Sequence, residues 1–197
     1  ARARARCGTR ASSPCAAALG GLCIQDRRNG SAGHDIPAGG HPLGVAGRAV
    51  QQVGKEGGKF NMIFVHSQND LWQKALVPAD DARVELAVKH IKRQKPSGRT
   101  NLCDAILSAL AIEDGGAVDL KLEDFKGEKE GPDTLFVLSD GEPNEGKFKR
   151  LSDILAAVRE VNRYARVRIH AIGTGEARFL KDLSDENGGA FASKVEF

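Results

Sequence analysis

The stretch Asp133–Lys147, DTLFVLSDGEPNEGK, decides the fold. Thr134 to Leu138 form a run of apolar or β-prone residues with no polar interruption. That is the pattern of a strand buried on both faces of a sheet. The run stops at Ser139-Asp140-Gly141 and passes into a Pro- and Gly-bearing loop that no strand continues through. A carboxylate at the carboxyl end of a buried strand, followed by a Gly turn, is where open α/β sheets place ligands. Taken alone, Asp140 also reads as a residue that merely opens a turn. A second segment upstream, Ser97-Gly98-Arg99-Thr100-Asn101-Leu102-Cys103-Asp104-Ala105-Ile106, favours the ligand reading.

Outward from this stretch the pattern alternates. Val45, Ala46, Ala49, Val50 and Val53 recur at helical spacing. Lys59 to His66 reads as a strand, and Gln73 to Pro78 as a short edge strand. Pro78-Ala79-Asp80 opens a helix with Val84, Ala87, Val88 and Ile91 on one face, ended by Lys95–Gly98. Asn101 to Ile112 is helical, with Leu102, Ala105, Ile106, Ala109 and Leu110 as its buried stripe. Glu113 to Gly131 is a charged loop with a strand-like piece at 118–122. Phe148, Leu151, Ile154, Leu155, Val158 and Val161 mark an amphipathic helix, and Val167 to Ile172 the next strand. Phe179 to Glu186 is a helix stopped by Gly188-Gly189, before a last strand from Ala190 to Val195. Strands alternating with helices predict an α/β fold: a Rossmann-like, doubly wound, mostly parallel sheet with helices on both faces. Right-handed crossovers then put Thr100 and Asp140 at the same carboxyl edge and the 113–131 loop at the opposite one.

The N-terminal part differs in kind. No Phe, Tyr or Trp precedes Phe60, and no Lys precedes Lys55. Residues 1–43 are therefore read as an irregular Arg/Ala/Gly-rich segment, with a degenerate first strand near 21–26, and 44–197 as the folded domain. An Arg-rich arm for phosphates, a flexible linker and a shifted reading frame in GC-rich DNA are its three readings, the last preferred.

A formal charge of +3 is too small to argue for nucleic acid or an anionic membrane as partner, and neither is expected. No apolar run approaches the ~20 residues of a membrane span. The chain starts at Ala1 rather than Met, which reads as a processed chain or a fragment of a larger protein, the fragment being the expectation. Cys7, Cys15, Cys23 and Cys103 fit neither zinc-ligand nor Cys-x-x-Cys spacing, and Cys103 is read as a small buried residue. Gly173-Thr174-Gly175 lacks the third Gly of a dinucleotide fingerprint, where Arg178 stands, and reads as a tight turn. His66 and His170 are assigned to packing or a local hydrogen bond, and Trp72 to a cover over the core or an exposed contact.

The segments around Thr100 and Asp140 together resemble the von Willebrand factor type A (VWA) family. The likeness runs through Lys59–Val65, Val167–Gly175 and Phe179–Leu183, over roughly residues 44 to 197. The family carries a metal-ion-dependent adhesion site. Its elements are Asp-x-Ser-x-Ser after the first strand, a Thr in Gly-x-Thr before a helix, and an Asp in a strand ending Asp-Gly. The resemblance assigns Thr100 to the second element, Asp140 to the third and Asp26, in Leu22-Cys23-Ile24-Gln25-Asp26, to the first. It implies magnesium, which takes six oxygens at about 2.0–2.1 Å, and a protein partner that supplies an acidic side chain.

The first element departs from the family pattern. Arg28 and Gly30 stand where the two serines belong, and Arg27 is adjacent. A cation there suffers repulsion on the order of a few kcal/mol per close pair at an effective dielectric of about 20. Magnesium binding is thus expected to be weak or absent, with Asp140 satisfied by its own turn or by Arg99. Arg28→Ser with Gly30→Ser should strengthen binding if that loop is in register. The functional expectation is a protein-binding module with an incomplete metal site and no catalysis. The alternatives are a hydrolase on a doubly wound sheet or a ligand-free scaffold, since fold alone decides neither. Against the hydrolase stands the lack of a nucleophile-base motif or phosphate loop.

Overall fold

A computed structural model describes residues 22–27, 42–55, 58–94, 99–113, 116–117, 131–139, 143–173 and 178–193. For Leu22–Arg27 it is the backbone course that is described. The strands are β1 (Leu22–Arg27), β2 (Lys59–Phe64), β3 (Asp70–Leu71), β4 (Val77–Pro78), β5 (Ile112–Glu113), β6 (Gly116–Ala117), β7 (Thr134–Ser139), β8 (Arg168–Gly173) and β9 (Phe191–Ala192). The helices are α1 (Pro42–Lys55), α2 (Asp81–Arg93), α3 (Leu102–Leu110), α4 (Leu151–Ala165) and α5 (Arg178–Glu186). The main sheet runs β3-β2-β1-β7-β8-β9, with β4 also on β2, while β5 and β6 pair by themselves.

Strand parity sorts the core into two layers, because successive side chains point to opposite faces. Ile63, Val65, Leu135, Val137, Ile169 and Ala171 face α3, α4 and α5, where Ile106, Leu110, Ile154, Val158 and Leu183 meet them. Phe60, Met62, Phe64, Phe136, Leu138 and Ile172 face α1 and α2, against Val45, Val50, Val53, Ala87 and Ile91. The expected doubly wound α/β architecture is present, and Phe136, Leu138, Ile169, Ile172 and Ile106 are all at most 4% exposed. α3 is buried nearly all round, consistent with its apolar composition. Pro42 opens α1, at the position where a missing N–H costs nothing. Asp80 caps α2 by accepting from the Arg83 N–H at 2.8 Å. Trp72 stacks on Phe60, with centroids 5.2 Å apart, and so covers the α1–α2 layer. His170 stacks on Phe136 and accepts the Ala190 N–H at Nδ1, 3.1 Å away.

Direction is where the structure departs from expectation. β7, β8 and β9 run parallel. β1 pairs antiparallel with both β2 and β7, so β2 still shares the direction of β7 while β1 between them is reversed. The sheet thus reaches back past residue 44, and the degenerate strand read near 21–26 takes an inner place in it. The strand-like piece at 118–122 and the Thr174-Gly175 part of the turn lie outside the described residues. Ile112, expected to close α3, begins the β5–β6 hairpin instead.

Two buried asparagines act as substitute backbone. Asn61 takes the Gln73 N–H on Oδ1 at 3.1 Å and donates Nδ2 to the Gln73 carbonyl at 2.7 Å. Asn162 does the same for Val167, at 2.8 Å in each direction, across the left-handed Arg166 (φ 54°) that ends α4.

Candidate functional site

Thr100 stands where loops from three parts of the chain converge. The apolar stripe of α3 docks that helix on the sheet and fixes the residues just before it. Asn101 caps α3, accepting from the Asp104 N–H at 3.4 Å and donating Nδ2 to Asp104 Oδ2 at 2.8 Å. On one side lies the loop following β2. There the Asn101 N–H donates to the His66 carbonyl and the Arg99 N–H to Ser67 Oγ, both at 3.2 Å. Asn69 Nδ2 donates to the Asn101 carbonyl at 3.1 Å. On the other side lies the loop following β7. Asn144 Oδ1 accepts the Thr100 N–H at 2.9 Å. The Thr100 carbonyl accepts from the N–H groups of Asn144 and Glu145, at 3.1 and 3.3 Å. The Lys147 N–H reaches Asp104 Oδ1 at 3.3 Å. Both backbone groups of Thr100 are thus used, and the residue is 7% exposed.

Gly146 is required in this junction. Its φ is +107°, and a Cβ there would stand 2.0 Å from Asn101 Oδ1. The exposed Arg99 guanidinium pairs with Glu145 Oε2 at 3.0 Å. Cys103, one residue into α3, is buried. Burial first, and then the Asp104 charge, push its thiol up to about 11, against smaller lowering by a backbone hydrogen bond of Phe148 and by Lys147. It is an inert packing group, as its sequence context suggested.

The three residues expected to form a metal site fare differently. Thr100 is at the carboxyl edge, beside the ends of β2 and β7. Asp140 lies outside the described residues, although Ser139 just before it is the last residue of β7, opposite Gly173. Asp26 pairs with Phe60 and Thr134, at the entry end of β7. That end is about 17 Å from Ser139 at ~3.3 Å per residue. The expectation that Asp26 joins Thr100 is therefore corrected: reversal of β1 carries its carboxyl end to the other edge of the sheet. Among the described residues no group of three His, Cys, Asp or Glu stands ready to hold a metal ion. Arg99, one of the two partners expected for Asp140, pairs with Glu145; its relation to Asp140 lies outside the described residues.

Asn144, Gly146 and Asp104 escaped the sequence reading. Their signals were present: Asn101 with an acid at Asp104 is a helix-start pattern, and Pro143-Asn144-Glu145-Gly146 is turn chemistry.

No protein-family model matches the chain. Inter-alpha-trypsin inhibitor heavy chain H1 of Mesocricetus auratus is 32% identical over 139 residues, 68% of this chain and 14% of that protein. Heavy chain H2 of Homo sapiens is 32% identical over 133 residues, 66% of this chain and 13% of that protein. Heavy chain H4 of Homo sapiens is 30% identical over 135 residues, 66% of this chain and 14% of that protein. The chain thus matches only about a seventh of the length of these curated relatives, which contain VWA domains. With helices on both faces of a Rossmann-like sheet and loops gathered at its carboxyl edge, these likenesses make the chain a member of the VWA domain family.

Proposed function

We propose that the chain is a protein-binding VWA module that docks its partner at the carboxyl edge of the sheet and holds magnesium weakly or not at all. The observation that carries this reading is the junction at Thr100, where three loops are fixed to one another by backbone and side-chain amides. A preorganised loop surface on a rigid sheet binds without ordering itself at the moment of contact. The heavy-chain relatives contain VWA domains, which supports the same reading here. Thr100 brings a single hydroxyl to this edge. A hydrated cation gains its energy from several oxygens already in place.

Docking at this edge is tested by photo-crosslinking. A crosslinking residue placed at Lys149, on the loop after β7, should capture a partner protein. One at Arg166, at the opposite edge, should not. Capture at position 166 alone would put the docking surface elsewhere. Turnover of a phosphate ester by the purified chain, lost on Thr100→Val, would make the protein an enzyme instead.

A further inference from the structure

The chain holds two Asn-Gly steps, Asn29-Gly30 and Asn187-Gly188. The first lies outside the described residues, and the second directly follows α5. An Asn followed by Gly is the sequence in which the next backbone nitrogen most readily attacks the side-chain amide, because no Cβ stands in the way. At 187–188 the two reacting groups are held differently. Gly188 is exposed at φ 66°, with open space where a Cβ would stand, and its N–H takes no hydrogen bond among the described residues. The Asn187 amide is held at both ends. Its Oδ1 accepts from Asn162 Nδ2 at 2.6 Å, and its Nδ2 donates to the Leu183 carbonyl at 2.7 Å. The nucleophile is at liberty and the electrophile is clamped. An open cavity of about 550 Å³ lies against both residues and brings water to them.

We propose that Asn187 is a site of spontaneous deamidation, guarded by the Asn162 amide, and that its conversion loosens the end of α5. The Gly188 N–H gives its proton to hydroxide, and the nitrogen bonds to Asn187 Cγ. The Cγ–Nδ2 bond breaks, and ammonia leaves with a proton from water, closing a succinimide ring. Water then opens the ring at either carbonyl, to aspartate or isoaspartate. The product carboxylate only accepts, so the bond to the Leu183 carbonyl is lost. Its charge falls at the carboxyl end of α5, where the helix dipole disfavours an anion. Arg166, beside the same cavity, offsets part of that charge. An isoaspartate also lengthens the backbone by one carbon, next to the carbonyl that accepts the Ile169 N–H at 3.3 Å. Reaction requires the clamp to part, so local opening sets its rate.

The test is peptide mapping by mass spectrometry of the full chain, incubated in mildly alkaline buffer beside the free peptide 183–191. Mapping separates conversion at position 187 from conversion at Asn29. Conversion at 187 should rise with pH and run about ten- to thirtyfold slower than in the peptide, the protection that two hydrogen bonds supply. Asn162→Ala should quicken it about two- to tenfold, as the loss of one such bond does. Val50→Ala, a cut into the opposite core layer, should quicken it less. Trp72 emission checks that both variants are folded. Asn187→Asp should lower the urea midpoint. No conversion at 187 in the intact chain once the peptide is spent overturns the site. Equal rates in chain and peptide, or a larger gain from Val50→Ala than from Asn162→Ala, overturn the guard. An unchanged midpoint for Asn187→Asp overturns the loosening of α5.

Discussion

β7 and β1 lie side by side, six residues each, and differ in nearly everything else. β7, TLFVLS, is buried at every position. β1, LCIQDR, turns polar in its second half, yet holds a place between β2 and β7. The difference teaches what patterning controls. Apolar continuity reports how deeply a strand sits. It carries no arrow, because a period of two reads the same from either end. β7 received its direction from the helices around it, and β1 has no such crossover before it among the described residues.

The largest effect that tests the comparison is removal of β1. A chain reduced to residues 42–197 leaves the facing backbones of β2 and β7 without partners along their length. It should lose cooperative unfolding by circular dichroism. If it melts like the full chain, β1 is an ornament and the sheet closes without it. Next comes Phe136→Ala in β7, which opens a cavity between Val50-bearing α1 and the sheet. It should cost about 3–5 kcal/mol in urea unfolding. A loss below about 1 kcal/mol would make β7 no more anchored than β1. Asn162→Ala probes the other flank of β7, where β8 enters through the paired bonds to Val167. Leaving those buried groups unmet should cost about 1–3 kcal/mol by the same measurement. The smallest effect is expected from Arg28→Ser with Gly30→Ser. With Asp26 opposite Thr134, calorimetry should show no gain in magnesium binding. A clear gain would mean that β1 runs the other way in solution.

The legible parts of the sequence were those in which burial and period agree. The uninterrupted Thr134–Leu138 run, the Ile154–Val158–Val161 stripe of α4 and the Gly188 stop after α5, at φ 66°, all appear as read. Thr100 was placed at the correct edge from chain connectivity alone. Asp26 was misplaced because its position followed from an assumed strand direction. Asn162 went unnoticed for another reason: on an amphipathic helix an Asn reads as solvated, and only the tertiary turn back through Arg166 brings Val167 within its reach. Asn144 was missed likewise, since its partner is 44 residues away in sequence.

Cys103 has a use as a reporter. Its thiol is buried directly beneath the junction of the loops, and it reacts only as thiolate. Alkylation at this position, located by mass spectrometry, is therefore gated by how often the junction parts and runs at the opening equilibrium times the intrinsic thiol rate. A partner seated on the carboxyl edge should slow that clock, and Gly146→Ala should hasten it. The same thiol links stability to pH. Because its folded value is raised from 9.0 to about 11, its contribution is intact below about 9 and fades as pH rises through about 11. Labelling rates across that window would separate the opening of one loop junction from the melting of the whole sheet.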